Sequence, residues 1–182
     1  MTTQKTFFIL LLFFGLNQSI KAQEINWMSF NEAIEAQEEE PRKILVDFYT
    51  SWCHYCKKMD KRVFNNQSVA EYLNENYYAV KFNAEGMEEV NYKGRLFKNV
   101  KSTRRGRRGN KHPFAQYIGV NGYPALVYFD EDANLISSIP GYKSVNELEI
   151  YLKMFANNDH MNIVDAEDWQ SYQDNFEFEF GN

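Results

Sequence analysis

Ile44-Leu45-Val46-Asp47-Phe48-Tyr49-Thr50-Ser51-Trp52-Cys53-His54-Tyr55-Cys56-Lys57 is the stretch on which the reading of this chain turns. Its first six residues are an apolar run interrupted once, by Asp47, and predict a buried strand. A helical pattern follows from Lys57 to Phe64, which places Cys53 at the first turn of a helix leaving a sheet. Unpaired backbone N–H groups and the positive end of the helix dipole stabilise a thiolate there. Cys56, one turn on, shares that helix face and is able to close a disulfide with Cys53. They are the only 2 cysteines in 182 residues. A bridge across His54 and Tyr55 alone closes too small a loop to stabilise much through chain entropy. The pair reads as chemistry rather than as a staple.

Outward from this stretch, Ser29-Phe30-Asn31-Glu32 has the form of a capping box and predicts a helix from Phe30 to about Glu40, ended by Pro41. Ser68-Val69-Ala70-Glu71 repeats the box, predicting a short helix to about Asn76, with a strand from Tyr78 to Phe82 behind it. Val90 to Phe97 predicts a hairpin turning near Lys93-Gly94. Arg104-Arg105-Gly106-Arg107-Arg108-Gly109 has the composition of a loop, and a short helix is expected around Phe114 to Tyr117. Ala125 to Phe129 and Leu135 to Ile139, parted by Asp130-Glu131-Asp132-Ala133-Asn134, predict a second hairpin. Ser144-Val145-Asn146-Glu147 is a third box, opening a helix with Leu148, Leu152 and Phe155 on one face. Elements in βαβ order, then a hairpin and a last helix, imply an α/β fold with a mixed sheet flanked by helices. Asp165 to Asn182 is acidic and aromatic: either a tail docked on the body or a disordered end.

The chain opens with one basic residue, Lys5, an uncharged apolar run from Phe7 to Phe14, and Ile20-Lys21-Ala22. That is the layout of a secretory signal peptide, and the run is shorter than the roughly 20 residues that span a bilayer. Cleavage is predicted near Ala22, giving a periplasmic or secreted protein; an uncleaved anchor is the alternative. The chain then divides into residues 23–158, with an insertion at about 84–112, and a tail over 159–182. Lys and Arg number 20 against 25 Asp and Glu, a formal net charge of −5. Yet Lys93 to Lys111 holds 9 basic residues and no acidic one. Such a stretch invites a nucleic-acid reading. Export argues against that and favours a docking surface for an acidic partner or for the chain's own tail. A structural zinc site wants four ligands at regular spacing. Cys53, Cys56 and His54, with His112 and His160 elsewhere, do not supply them, and no metal is expected.

From Lys43 to Phe155 the chain resembles the thioredoxin superfamily, and within it the exported, periplasmic thiol–disulfide branch. The resemblance is carried by Val46-Asp47-Phe48-Tyr49, by Ser51-Trp52-Cys53-His54-Tyr55-Cys56-Lys57, by Gly122-Tyr123-Pro124-Ala125 and by Gly141 before the last helix. The basic insertion ahead of the Tyr-Pro pair and the acidic tail depart from the family pattern. The resemblance implies a thioredoxin-like mixed sheet flanked by helices. Cys53 is then the nucleophile, with a thiol pKa below the free value of ~8.5, and Cys56 the more buried resolving thiol. Asp47 exchanges a proton with Cys56, where the residues alone leave open an aspartate at a strand end facing water. Lys81 matches a lysine near this acid, a plain surface lysine being the other reading. Pro124 is cis and presents the Tyr123 backbone to a substrate chain added as a strand. His54 and Tyr55 tune the pair, Lys57 is grouped with them, and Trp52 is a platform beside it, or else a core residue.

The implied activity is disulfide exchange with protein substrates, reductase or isomerase favoured. It needs no cofactor, and its electrons are expected from a membrane thiol-reductant transporter. Nothing reads as a dimerisation segment, so a monomer is expected. The rival reading is a thioredoxin-like binding or chaperone module whose insertion and tail hold a partner.

Overall fold

Side chains alternate between the two faces of a strand, and that period sorts the core of this protein onto the two sides of one sheet. The computed structural model describes residues 23–101 and 109–181. The predicted signal peptide and the run Arg104–Arg108 lie outside the described residues. In chain order the elements are α1 (Phe30–Glu39), β1 (Lys43–Tyr49), α2 (His54–Met59), a π-helical turn (Asp60–Phe64), α3 (Gln67–Asn76), β2 (Tyr77–Asn83), β3 (Val90–Tyr92), β4 (Arg95–Phe97), α4 (Pro113–Tyr117), β5 (Ala125–Phe129), β6 (Leu135–Pro140), α5 (Val145–Ala156), a 3-10 turn (Asp159–Asn162) and α6 (Ala166–Asp174).

The main sheet has the order β2-β1-β5-β6. β1 and β2 are parallel, joined by the α2–α3 crossover, while β5 runs antiparallel to both β1 and β6. Ile44, Val46, Phe48, Val80, Phe82, Val127 and Phe129 point to one side, where α1, α4 and the β3–β4 hairpin cover them. Leu45, Tyr77, Ala79, Leu126 and Tyr128 point to the other, beneath the cysteine helix, α3 and α5. Asp47 and Lys81 are register partners, and the same alternation sends both to this second side. The expected mixed sheet with helices on both faces is what forms.

Two local expectations are corrected. The cysteine helix does not run as an α-helix to Phe64: beyond Met59 it widens into the π-helical turn. A wide turn brings the consecutive residues Val63 and Phe64 both into the core. Ser68 is not a cap. Asn66 Oδ1 accepts the Val69 N–H at 3.0 Å, so α3 starts at Gln67, and Glu71 accepts from Gln67 rather than from a cap backbone. Asparagine is as strong a cap as serine, and the earlier start sets Val69, Ala70 and Leu73 on the buried face. The boxes at Ser29 and Ser144 form in full.

The acidic tail docks, and among the described residues it does so away from the basic hairpin. Phe180 is buried among α3 and α5 residues, with Ile163, Trp169 and Tyr172 packed alongside, whereas Tyr92 and Phe97 of the basic hairpin belong to the opposite side of the sheet. Glu149, fully buried, holds the tail: its two oxygens accept the N–H groups of Glu179 (2.7 Å) and Phe180 (3.0 Å).

Candidate active site

β1 ends at Tyr49, the chain turns through Thr50–Trp52, and Cys53 becomes the N-cap of α2 in extended backbone. Its N–H donates to the Thr50 carbonyl at 3.1 Å. Its sulfur accepts the N–H of Cys56 at 3.1 Å, the same backbone contact that would hold a thiolate. Cys53 and Cys56 are joined as a disulfide. Both are buried, Cys56 at 1% exposure and Cys53 at 5%. His54 and Tyr55 between them face solvent, their rings edge to face with centroids 5.7 Å apart.

The ends of three other segments converge on this turn. The Tyr123–Pro124 bond is cis, as the resemblance implied, and Pro124 is buried where β5 begins. The Pro124 carbonyl accepts from Gly141 N–H at 2.8 Å, which fixes the end of β6 beside it. The Tyr123 ring stands edge-on to Trp52, centroids 6.2 Å apart. Trp52 is half-buried rather than a core residue. Its indole N–H donates to Glu85, 3.1 Å from each carboxylate oxygen, and Glu85 also accepts from Gly109 N–H at 2.9 Å. The far end of the basic insertion is thereby tied to the cysteine turn. Burial, with Glu85 adding to it, pushes the Tyr123 phenol up, so it stays protonated and able to donate.

Asp47 does not face water. It is 1% exposed, on the side of β1 that carries the cysteine helix. Oδ2 takes the Lys81 ammonium at 2.6 Å, while Oδ1 has no partner among the described residues. Burial drives the carboxyl above its ordinary range, and Lys81 offsets only part of that. An acid so placed holds a proton more tightly than an exposed one. Lys81 is no plain surface lysine either. Desolvation works against its charge, but Asp47 and Asp60 more than offset it and raise its pKa. The rings of Phe64, Trp27 and Tyr49 surround its ammonium at 4.9–5.3 Å. Lys57 lies on the outer, exposed face of α2.

Cys53, Cys56, Trp52, Tyr123, Pro124, Asp47 and Lys81 are thus brought to one end of the sheet. Three residues that the sequence did not point to join them. Asp60 pairs with Lys81, Glu85 anchors Trp52, and the Tyr142 ring lies 6.3 Å from Tyr55. Tyr142 was within reach as the neighbour of Gly141; Glu85 carried no local signal. His112, a candidate ligand by residue type, is instead a buried N-cap. Its Nδ1 accepts Phe114 N–H at 3.1 Å, so Nε2 carries the proton and donates to the Glu88 carbonyl at 2.7 Å.

A cysteine pair at a helix start, a cis-proline loop facing the same turn and a buried acid beneath the helix define a site of thioredoxin-like build. Residues 30–156 match the thioredoxin-like domain family, and the chain belongs to it. Among solved structures it is similar to the DsbH oxidoreductase (18% identity, 78% of this chain and 90% of that one, TM-score 0.54). It is also similar to a candidate disulphide-isomerase from Bacteroides thetaiotaomicron (25% identity, 74% and 94%, TM-score 0.51). A thioredoxin from Thermus thermophilus shares the fold as well (17% identity, 72% and 87%, TM-score 0.55). A curated relative, an uncharacterized protein from Caenorhabditis elegans, is 31% identical over 67 residues, 36% of this chain; the chain spans only 9% of that protein's length.

Proposed function

We propose that this protein is an exported thiol–disulfide oxidoreductase that reduces or isomerises disulfides in other proteins. The observation that carries this is the Cys53–Cys56 pair capping α2 on the sheet side that holds the buried, half-satisfied carboxylate of Asp47. In the reduced enzyme the Cys53 thiolate attacks one sulfur of a substrate disulfide. A Cys53–substrate bond forms, and the departing substrate sulfur takes up a proton. Cys56 gives its proton to Asp47 and attacks the Cys53 sulfur. The internal disulfide closes, and the second substrate thiol leaves with a proton. Two electrons have passed from the cysteine pair to the substrate, whose two thiols draw one proton from solvent and one, by way of Asp47, from Cys56. The substrate chain is held by the Tyr123 backbone ahead of cis-Pro124, added as a strand, with Trp52 as its platform. Each turnover needs a dithiol donor to reopen Cys53–Cys56. For a protein exported by the segment ending at Ala22, that donor is a membrane thiol-reductant transporter.

The deciding measurement is the equilibrium reduction potential of the pair in glutathione buffers. A value near or below ~−250 mV supports a reductant, and one near ~−180 mV an isomerase; ~−120 mV marks an oxidant and overturns the direction proposed. Any positive charge that the His54 ring carries would stabilise the neighbouring thiolate, so His54→Ala is expected to lower the potential by about 30 mV. An unchanged potential removes His54 from the tuning set. Cys56→Ala is expected to accumulate substrate proteins as mixed disulfides on Cys53. If nothing is trapped, the protein is better read as a binding module whose disulfide is incidental.

A further inference from the structure

The helix that carries the cysteines has a second face. Cys56, Met59 and Val63 turn inward, which leaves Lys57, Lys58, Lys61 and Arg62 together on the outside. With His54 and Tyr55 they line an open groove of about 460 Å³ that begins one residue from Cys53. The acid in this run, Asp60, is turned away and paired with Lys81 on the sheet side. Among the described residues, none of the four cations on the outer face has an ion-pair partner. They stand uncompensated in a chain whose formal net charge is −5.

We propose that this groove receives an acidic segment of the substrate protein while its disulfide is presented to Cys53. The inference rests on the oxidoreductase reading and adds the substrate class to it. Four clustered like charges repel one another, and an anionic chain laid across them relieves that repulsion. It also raises the rate of encounter, because a one-signed groove concentrates oppositely charged partners. The floor suits a peptide. Tyr55 is 57% exposed, and Lys58 lies over the Tyr142 ring at 4.6 Å and near the Tyr55 ring at 6.0 Å. Aliphatic stems and aromatic faces are thus available between the charges. From His54 to Met59 the α-helix rises roughly 7.5 Å at 1.5 Å per residue, and the π-helical turn carries the basic face on to Arg62, about the length of three to four extended residues in all. The substrate assigned is therefore a disulfide with two or more Asp or Glu residues within about four positions of the attacked cysteine.

The test uses three disulfide-linked peptides identical except for Asp-Asp, Asn-Asn or Lys-Lys placed three residues from the cysteine. The reduced protein is mixed with each at low and at high ionic strength. The expected order of kcat/KM is acidic above neutral above basic, with at least about tenfold between the extremes at low salt. That spread should collapse in high salt, where screening acts within a few ångströms. The double variant Lys61→Glu/Arg62→Glu, its fold checked by thermal melting, leaves two cations against two anions in the groove and should lose the preference for the acidic peptide. If the variant does not fold, the salt dependence of the unsubstituted protein decides alone. Activity with the neutral peptide but no ordering by charge overturns the substrate assignment and leaves the oxidoreductase reading standing. Inertness toward all three overturns both. Salt-sensitive binding to phosphatidylserine vesicles without any peptide ordering would give the groove to a lipid surface and overturn the proposal.

Discussion

Asp47 shows how one side chain links the fold to its chemistry. A carboxylate with one oxygen on Lys81 and the other unpartnered in the core keeps its proton more readily than the unfolded chain does. Its folded pKa is raised from 3.8, so the sign of its contribution to stability follows. Below 3.8 the group is protonated in both states and costs nothing. As pH climbs through the window up to the raised folded value, the unfolded state ionises first and folding is penalised. Above that window the penalty is constant. Asp47→Asn mimics the protonated acid and is expected to melt higher than the unsubstituted protein at pH 8 but together with it at pH 3. In the mechanism proposed above the same change removes the base for Cys56, so resolution of the mixed disulfide should slow by roughly 10²-fold. Denaturation midpoints at the two pH values and rapid-quench kinetics check the two halves. A variant that gains no stability at pH 8 would show that Lys81 compensates the charge fully. Lys81 and Asp60, next to Asp47, both line a cleft of about 530 Å³ open to solvent, which offers an exit for a proton that Asp47 would accept in the proposed mechanism.

At the scale of elements, His112 makes a comparable statement about α4. It caps that five-residue helix from a fully buried position, against the Phe82 ring at 5.1 Å. Burial lowers its pKa from 6.5. The neutral ring therefore stabilises the fold in full above 6.5, and that contribution is lost as pH falls toward the lowered folded value. His112→Asn keeps a capping oxygen but not the ring, and is expected to cost about 1–2 kcal/mol at pH 7.5. Its deficit should shrink by pH 5, as read from urea midpoints; a deficit independent of pH would refute the titration argument. Such contacts also mark what the sequence made legible. Strands β1 and β5, the two complete capping boxes and the hairpins could be read because their signals are local: a short apolar run, a serine three residues before a glutamate, a cluster of turn residues. Cys53, Cys56 and Pro124 were legible as motif. The pairings that finish the site were not. Glu85 with Trp52, Asp60 with Lys81 and His112 with Glu88 join residues 21 to 33 positions apart, and no periodicity encodes them. Asn66 displaced Ser68 for a related reason: both cap well locally, and burial of Val69, Ala70 and Leu73 chose between them.

The whole molecule is organised by which side of the sheet a segment covers, and the tail is the case where that matters most. The cysteine helix leans on a side of the sheet covered by α3 and α5, and the last described residues are clasped to that layer through Glu149. Its carboxylate is fully buried, pairs with Lys153 at 2.7 Å and accepts the two backbone N–H groups that bring Phe180 down onto Tyr72, ring centroids 5.3 Å apart. Lys153 also pairs with Glu179 at 2.5 Å; a tail that lifts away takes Glu179 with it and opens Lys153 to solvent, so removing Glu149 does not strand a buried cation. What it strands is two N–H groups, each worth about 1.5–3 kcal/mol when bonded to a charge. The core beneath, with Tyr128, Leu148 and Leu152 fully buried, has its own packing and remains. Glu149→Ala should therefore release residues 176–181 rather than unfold the domain. The expected result is a loss of roughly 2–4 kcal/mol in global stability, with hydrogen-exchange protection lost at Glu179 and Phe180 while β1 and β5 amides keep theirs relative to the new global limit. The Cys53–Cys56 reduction potential should stay where it was, because the clasp touches neither cysteine nor Asp47. A potential that moves with Glu149→Ala would mean that the tail braces the cysteine helix through α3. The acidic end of the chain would then belong to the redox machinery and not only to the stability of the layer it covers.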